Sequence, residues 1–76
     1  MDFPQYRALS NGMVMYKIID DRHFIEVQRV GTRYFRYEHH AEKYPEILRV
    51  KEMLDLSLPG IEESTKVHFE EFSDKV

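Results

Sequence analysis

Residues 13–19 read Met-Val-Met-Tyr-Lys-Ile-Ile, a run in which every side chain except Lys17 is apolar. A strand with one face in water alternates apolar and polar side chains, so this run requires cover on both of its faces. We therefore predict an internal strand. What covers its second face becomes the main question about function.

Asn11 and Gly12 connect this run with the preceding segment, residues 5–9. Asn-Gly between two apolar runs is typical of a type I′ hairpin turn, because both central residues adopt positive φ at low cost. The turn predicts antiparallel pairing of the two segments, in a register that places Arg7 opposite Tyr16.

Residues 24–30 form the next alternating run, after a polar turn at residues 20–23. Loops of two and of four residues predict the same register, with Lys17 opposite Glu26. Opposite charges then meet across the pair, a contact of about 0.2–1 kcal/mol that favours this register.

A fourth strand is predicted over residues 33–39, beyond a turn at Gly31. A two-residue loop would place Val27 opposite Arg36, whereas a shift of one residue places Val27 opposite Tyr37 and separates apolar from charged side chains better. A one-residue slip inverts every side chain, so a three-residue loop or a bulge is expected.

Helical spacing replaces strand alternation beyond Tyr44-Pro45, which is a typical helix start. A helix over residues 45–56 is predicted from the apolar side chains that repeat at helical intervals, namely Ile47, Val50 and Leu54. A second helix is predicted over residues 61–73, with Ile61, Thr65, Phe69 and Phe72 on one face. A frayed or disordered tail is the alternative.

The predicted fold class is α+β: a four-stranded antiparallel meander followed by one core-packing helix and a second C-terminal helix. The strands are expected at about residues 5–9, 13–19, 24–30 and 33–39, in a single domain over residues 1–60. The segment 61–76 belongs to the same domain and carries five acidic residues and two lysines, which accounts for the whole net charge of -3.

The composition, 42% hydrophobic and 33% charged over 76 residues, is that of one small folded domain rather than a disordered chain. The absence of cysteine excludes disulfides and thiolate metal sites. No apolar run has the length of a membrane span, and the N-terminal stretch lacks the pattern of a signal peptide. We expect a cytoplasmic protein without a cofactor or membrane association.

The predicted registers divide the apolar side chains between two faces of the sheet. The face expected under the first helix carries Leu9, Val14, Tyr16, Ile18, Ile25, Val27, Phe35 and Tyr37. The second face carries Met13, Met15, Ile19, Phe24 and Val30, around Lys17, Glu26 and Gln28. An uncovered apolar patch usually marks a binding surface.

Three covers for the second face stay open: the C-terminal helix of the same chain, a second copy in a homodimer, and a partner that displaces the acidic tail. The preferred function is a non-enzymatic interaction module that acts through this face, on a protein partner or on itself as a homodimer. No catalytic residue is predicted.

Single-stranded nucleic-acid binding is the alternative function, through Arg29, Arg33, Tyr34 and Arg36 of the fourth strand. Basic residues among aromatics can hold phosphates while bases stack on the rings. The negative net charge and the absence of an RNA-recognition-motif pattern favour a solvated strand pair instead.

A third hypothesis is a small metal-assisted enzyme that uses His23, His39 and His40 with nearby Asp20, Asp21 and Glu42. Imidazole and carboxylate groups bind zinc and exchange protons near neutral pH. No established metal-binding spacing is present, and adjacent His39 and His40 on a strand point to opposite faces. Polar surface residues at a loop end are therefore the favoured interpretation.

Overall fold

The computed structural model describes residues 2–76 as a five-stranded antiparallel sheet with one helix packed on each face. The elements, in chain order, are β1 (Gln5–Leu9), β2 (Val14–Ile18), β3 (His23–Val30), β4 (Arg33–His40), α1 (Tyr44–Leu54), β5 (Ile61–Glu63) and α2 (Lys66–Ser73). The strand order across the sheet is β4-β3-β2-β1-β5. The predicted α+β fold with an antiparallel sheet is confirmed, and the run at residues 13–19 contains the central strand.

The segment after Gly60 begins with a strand, so the prediction of a helix from Ile61 is wrong. β5 pairs with β1, and Ile61 lies opposite Leu9. The helix starts only at Lys66, where the Thr65 side chain accepts a hydrogen bond from the His68 amide at 3.2 Å. A three-residue strand is too short to show a period of its own, and its pairing depends on distant β1.

The register of β1 on β2 is as predicted, with Arg7 opposite Tyr16. The predicted type I′ turn is wrong, because Gly12, at φ 76°, adopts positive φ and Asn11 does not. The Gly12 amide donates to the Leu9 carbonyl at 3.0 Å within a four-residue loop, which preserves the register.

The predicted register of β2 on β3 is wrong by one residue. Tyr16, not Lys17, lies opposite Glu26, and Ile18 lies opposite Phe24. An odd number of residues, five, separates the paired Ile18 and Phe24. Asp20 closes this turn locally, because its side chain accepts from the Arg22 amide at 2.8 Å. The slip transfers every β3 side chain to the other face.

The predicted register of β3 on β4 is also wrong, because the two-residue loop that the pattern disfavoured is the one that forms. Val30 lies opposite Arg33, and Val27 lies opposite Arg36. Gly31 has a φ of 64° at the first position of this turn, which suits a tight hairpin. Separation of apolar from charged side chains does not govern the pairing, because β4 is an exposed edge strand.

The two faces of the sheet are named here by the helices that cover them. The α1 face holds a buried cluster of Val14, Tyr16, Ile18, Phe24, Ala41, Val50 and Met53. The α2 face holds Ala8, Met15, Ile25, Val27 and Phe69. Phe24 therefore exchanges faces with Ile25 and Val27 relative to the prediction. The second face is covered by the C-terminal helix of the same chain, the first of the three covers.

Arg7 fixes the C-terminal end of α1 to the sheet. This buried guanidinium donates to the carbonyls of Met53 at 3.0 Å and Leu54 at 3.1 Å, and also to the Tyr6 carbonyl at 2.7 Å. The last carbonyls of a helix have no partner within the helix, and a cation is favoured at this end of the helix dipole.

Within the described residues, no helix has both the length and the apolar character needed to cross a membrane.

Candidate interaction surface

β4 is an eight-residue edge strand whose outer side has no neighbouring strand in the described part of the chain. The Ala41 amide donates to the Arg22 carbonyl at 2.7 Å, which shows which residues of this strand face β3. Along an antiparallel ladder, residues whose backbone groups bond to the neighbouring strand alternate with residues whose backbone groups point away from it. Backbone groups of the odd-numbered residues bond to β3, and those of Tyr34, Arg36, Glu38 and His40 point outward.

The α1 face of β3 and β4 remains partly open. Its exposed apolar side chains, which we name the aromatic strip, are Val30 (59% exposed), Phe35 (39%) and Tyr37 (46%). Phe35 lies beside β3 opposite Gln28, and Tyr37 lies opposite Glu26. On the same face of β2, Tyr16 and Ile18 are buried under α1. The sequence-based expectation that Phe35 and Tyr37 belong to the main core is therefore wrong.

On β3, the polar side chains of Glu26 and Gln28 separate Phe35 and Tyr37 of β4 from the core under α1. Glu26 is buried, its Oε1 lies 3.0 Å from His39 Nε2, and the Gln28 amide donates to its Oε2. The His39 ring stacks on Phe24 with 4.5 Å between ring centroids. These contacts give Phe35 and Tyr37 a hydrogen-bonded polar border on their inner side.

Tyr16, which lies opposite Glu26, has a raised pKa. Burial is the main cause, the negative charge of Glu26 adds to the rise, and the positive charge of Arg49 opposes it. Tyr16 therefore stays protonated well above neutral pH, which suits a packing and hydrogen-bonding role.

On its α2 face, β4 contacts the C-terminal part of the same chain. The Tyr34 ring meets Phe72 edge-on at 5.4 Å between centroids, and Lys75 Nζ lies 5.4 Å from the centroid of the same ring. Further along the strand, Arg36 Nη2 and Glu38 Oε1 form an exposed ion pair at 3.1 Å.

The four nucleic-acid candidates do not share one surface. Arg29, Tyr34 and Arg36 lie on the α2 face, because Arg29 is paired with Tyr34 and Val27 with Arg36. Arg33 lies opposite Val30, on the α1 face. The ring that would stack on a base, Tyr34, already packs against α2.

The five candidates for partner binding are also divided. Met15 is 4% exposed in the cluster under α2, and Phe24 is 6% exposed in the cluster under α1. Met13, Ile19 and Val30 are exposed. Only Val30 of this set lies in the aromatic strip.

The histidines occupy two separate places. His23 Nδ1 lies 2.8 Å from Asp20 Oδ1, and the His23 and His40 rings are 4.1 Å apart between centroids. His39 lies on the opposite face against Phe24. The hydrogen bond from His23 lowers the pKa of Asp20, and the Arg22 amide lowers it further.

Metal-binding geometry is not found among the His, Asp and Glu side chains of the described residues. The cavity beside His39, lined also by Phe24, Ala41, Glu46 and Arg49, measures about 90 Å³. Pockets for small molecules usually measure about 300–1,000 Å³. The cavity beside His39 is therefore smaller than a usual small-molecule pocket.

Comparisons with protein-family models, curated proteins and solved structures find no match for this chain.

Proposed function

We propose that this protein is a non-enzymatic interaction module that binds a protein partner by adding a strand of that partner to the outer edge of β4. The observation that supports this most strongly is the open edge itself, eight residues long and bordered by the aromatic strip. Unpaired backbone groups along an edge are a template for another strand. Strand addition to a sheet edge is an established mode of protein recognition.

Backbone contacts and side-chain contacts with the added strand would have different roles. Backbone hydrogen bonds to the outward-facing residues supply affinity for any extended segment, and side chains on the two faces select among sequences. On the α1 face the incoming strand covers Phe35 and Tyr37. Full burial of a large apolar side chain is worth about 1.5–3 kcal/mol, so covering the open part of each ring contributes roughly 1 kcal/mol.

The edge of β4 replaces the second sheet face as the proposed binding surface. Phe69 of α2 occupies the centre of that face and packs on Tyr6 with 5.9 Å between ring centroids. A partner on that face would first have to displace α2, whereas the edge of β4 can accept a strand without any rearrangement. We also propose a cytoplasmic location, since the chain builds both clusters without a disulfide.

Site-specific photocross-linking in the producing cells tests this function. A benzophenone amino acid replaces Phe35 in one variant. In the matched control it replaces Tyr44, an aromatic residue on α1 that is 73% exposed. We expect discrete adducts from position 35 and few or none from position 44, because position 35 lies in the strand that would pair with the partner and position 44 lies in α1.

Equal adduct yields at the two positions would contradict the proposal, as would the absence of any adduct at position 35. The mass of the adduct identifies the partner, because a second copy of this chain doubles the mass and any other protein gives a different value.

A further inference from the structure

We propose that the strand that pairs with β4 is β4 of a second copy, antiparallel, with the two Tyr37 residues opposite each other. This inference rests on the proposed function, because it names the occupant of the same edge. The sheets of the two copies would join into one continuous sheet about a two-fold axis perpendicular to it.

The backbone of β4 permits this pairing. Tyr34, Arg36, Glu38 and His40 direct their amides and carbonyls outward, as the Ala41 to Arg22 hydrogen bond requires. With Tyr37 on the axis, Arg36 of one copy forms a hydrogen-bonded pair with Glu38 of the second copy, and Tyr34 pairs with His40. Tyr37 then occupies a non-hydrogen-bonded position, where opposing side chains come closest.

Charge complementarity selects this register. The arrangement places Arg36 opposite Glu38 of the second copy, and by symmetry the same contact occurs twice. A shift of the axis to Arg36 would oppose two arginines, and a shift to Glu38 would oppose two glutamates. Opposite charges across a strand pair stabilise it and like charges destabilise it. The Arg36–Glu38 ion pair within each strand, at 3.1 Å, supplies charges already held at this edge.

The aromatic side chains agree with the same register. On the α1 face, Tyr37 would lie against Tyr37 and Phe35 against His39 of the second copy. The two aromatic strips, each 39–59% exposed in the single chain, would then meet between the two α1 helices. Cross-strand aromatic pairs are among the favourable contacts of a sheet.

Of the features that usually protect an edge, β4 has only charged side chains. Natural edges are kept apart by short strands, prolines, bulges and charged side chains. β4 has eight residues and no proline, and its pairing with β3 runs without a bulge from Val30 and Arg33 to His23 and His40. Its charges match those of a second copy. β5, at the opposite edge, has three residues.

Sedimentation of the full chain over a range of concentrations tests the inference, with two charge variants as the decisive comparison. Arg36→Glu places a glutamate against Glu38 of the second copy in both symmetry-related pairs, and Glu38→Arg places an arginine against Arg36. Wild-type protein should approach twice its monomer mass as its concentration rises. Each variant alone should dimerise about tenfold more weakly, because two attractive pairs become repulsive.

An equimolar mixture of the two variants should recover the affinity of the wild type. In the mixed dimer, the glutamate introduced at position 36 faces the arginine introduced at position 38, and the remaining Arg36 faces the remaining Glu38. Both pairs are then attractive again. The side chains of Arg36 and Glu38 are exposed in the single chain, so circular dichroism should show unchanged folding of each variant.

A wild-type mass that stays at the monomer value at every concentration overturns the inference. A mixture that associates no better than its components overturns the register and therefore the inference. If the benzophenone at position 35 captures a different protein while the wild type stays monomeric, only the self-pairing is lost and the proposed function stands. If position 35 captures nothing, both are lost.

Discussion

β2 and β4 belong to the same sheet, yet their side chains have opposite environments. In β2, every residue from Val14 to Ile18 is buried except Lys17, which is half-buried. In β4, every residue from Arg33 to His40 is exposed except Tyr34, which is half-buried. β4 carries two arginines, one glutamate and two histidines, so composition explains part of the contrast but not the exposure of Phe35 and Tyr37.

Position in the sheet explains it. β2 lies between β1 and β3, and the helices α1 and α2 cover its two faces. β4 lies at the edge, where α2 packs against Tyr34. Large side chains at a covered position stabilise the fold, whereas the same kinds of side chain at an open edge are available to a partner.

The largest difference between β2 and β4 should appear in how far a substitution lowers the free energy of unfolding. Ile18→Ala in β2 removes a fully buried side chain from the cluster under α1 and should lower the free energy of unfolding by about 4 kcal/mol. Tyr37→Ala in β4 should cost the single chain less than about 1 kcal/mol. Urea denaturation at dilution checks both values. Equal losses would contradict the contrast.

The cover on the second face is tested by Phe69→Ala. Phe69 is the buried residue of α2 and packs in the cluster with Met15 and Val27. We expect a loss of about 3 kcal/mol and binding of an apolar dye. Val67→Ala, on the exposed side of the same helix, is the matched control and should have little effect. A dye-negative Phe69 variant of wild-type stability would show that α2 is not needed as cover.

Arg7→Met tests how α1 is held over β1 and β2. The substitution removes the hydrogen bonds to the carbonyls of Met53 and Leu54 and leaves these helix-end groups without this partner. Hydrogen bonds from a charged group contribute about 1.5–3 kcal/mol, so a loss of about 2 kcal/mol is expected. Arg7→Lys should recover part of it, because one ammonium cannot reproduce the planar fork. Arg33→Met, at an exposed site, is the control.

The smallest expected effect is a change in stability at alkaline pH from Tyr16 of β2. Burial and then the charge of Glu26 raise the pKa of Tyr16, so the folded state binds its proton more tightly than the unfolded chain does. Its contribution is complete below the pKa of an unfolded tyrosine, about 10, and is lost as the pH rises through the folded value. Denaturation from about pH 8 to 11 should therefore show a steeper decline for wild type than for Tyr16→Phe. Parallel curves would contradict this assignment.

Several elements could be predicted from local sequence signals. Residues 13–19 indicated a strand covered on both faces, Tyr44-Pro45 indicated the helix start, and the pairing of Arg7 with Tyr16 followed from the turn position. That pairing also places the charged Arg7 on the apolar α1 face. A charged side chain at such a position indicates a specific polar contact, which here is the one with the end of α1.

Two registers could not be predicted because each depends on loop geometry that the strand pattern does not encode. The Asp20 side chain closes an odd-numbered connection, and Gly31 permits a tight two-residue turn. The slip of β3 exchanges its two faces, which is why the pattern predicts Phe24 on an open surface. The two slips cancel in β4, so Phe35 and Tyr37 lie on the predicted face but outside the buried cluster under α1. The open edge of β4 follows from the meander topology, but the strand pattern does not encode how far across the sheet α1 extends its cover.

The central claim is that the outward-facing backbone groups of β4 are free in the single chain and paired with a second copy when it binds. Amide hydrogen exchange measured residue by residue, at low and at high protein concentration, tests this most directly. In dilute protein, Phe35, Tyr37 and His39 should be protected through β3, whereas Arg36 and Glu38 should exchange rapidly. At high concentration, Arg36 and Glu38 should become protected as well. Protection of these two amides that is already present at dilution, or that does not change with concentration, would contradict the account.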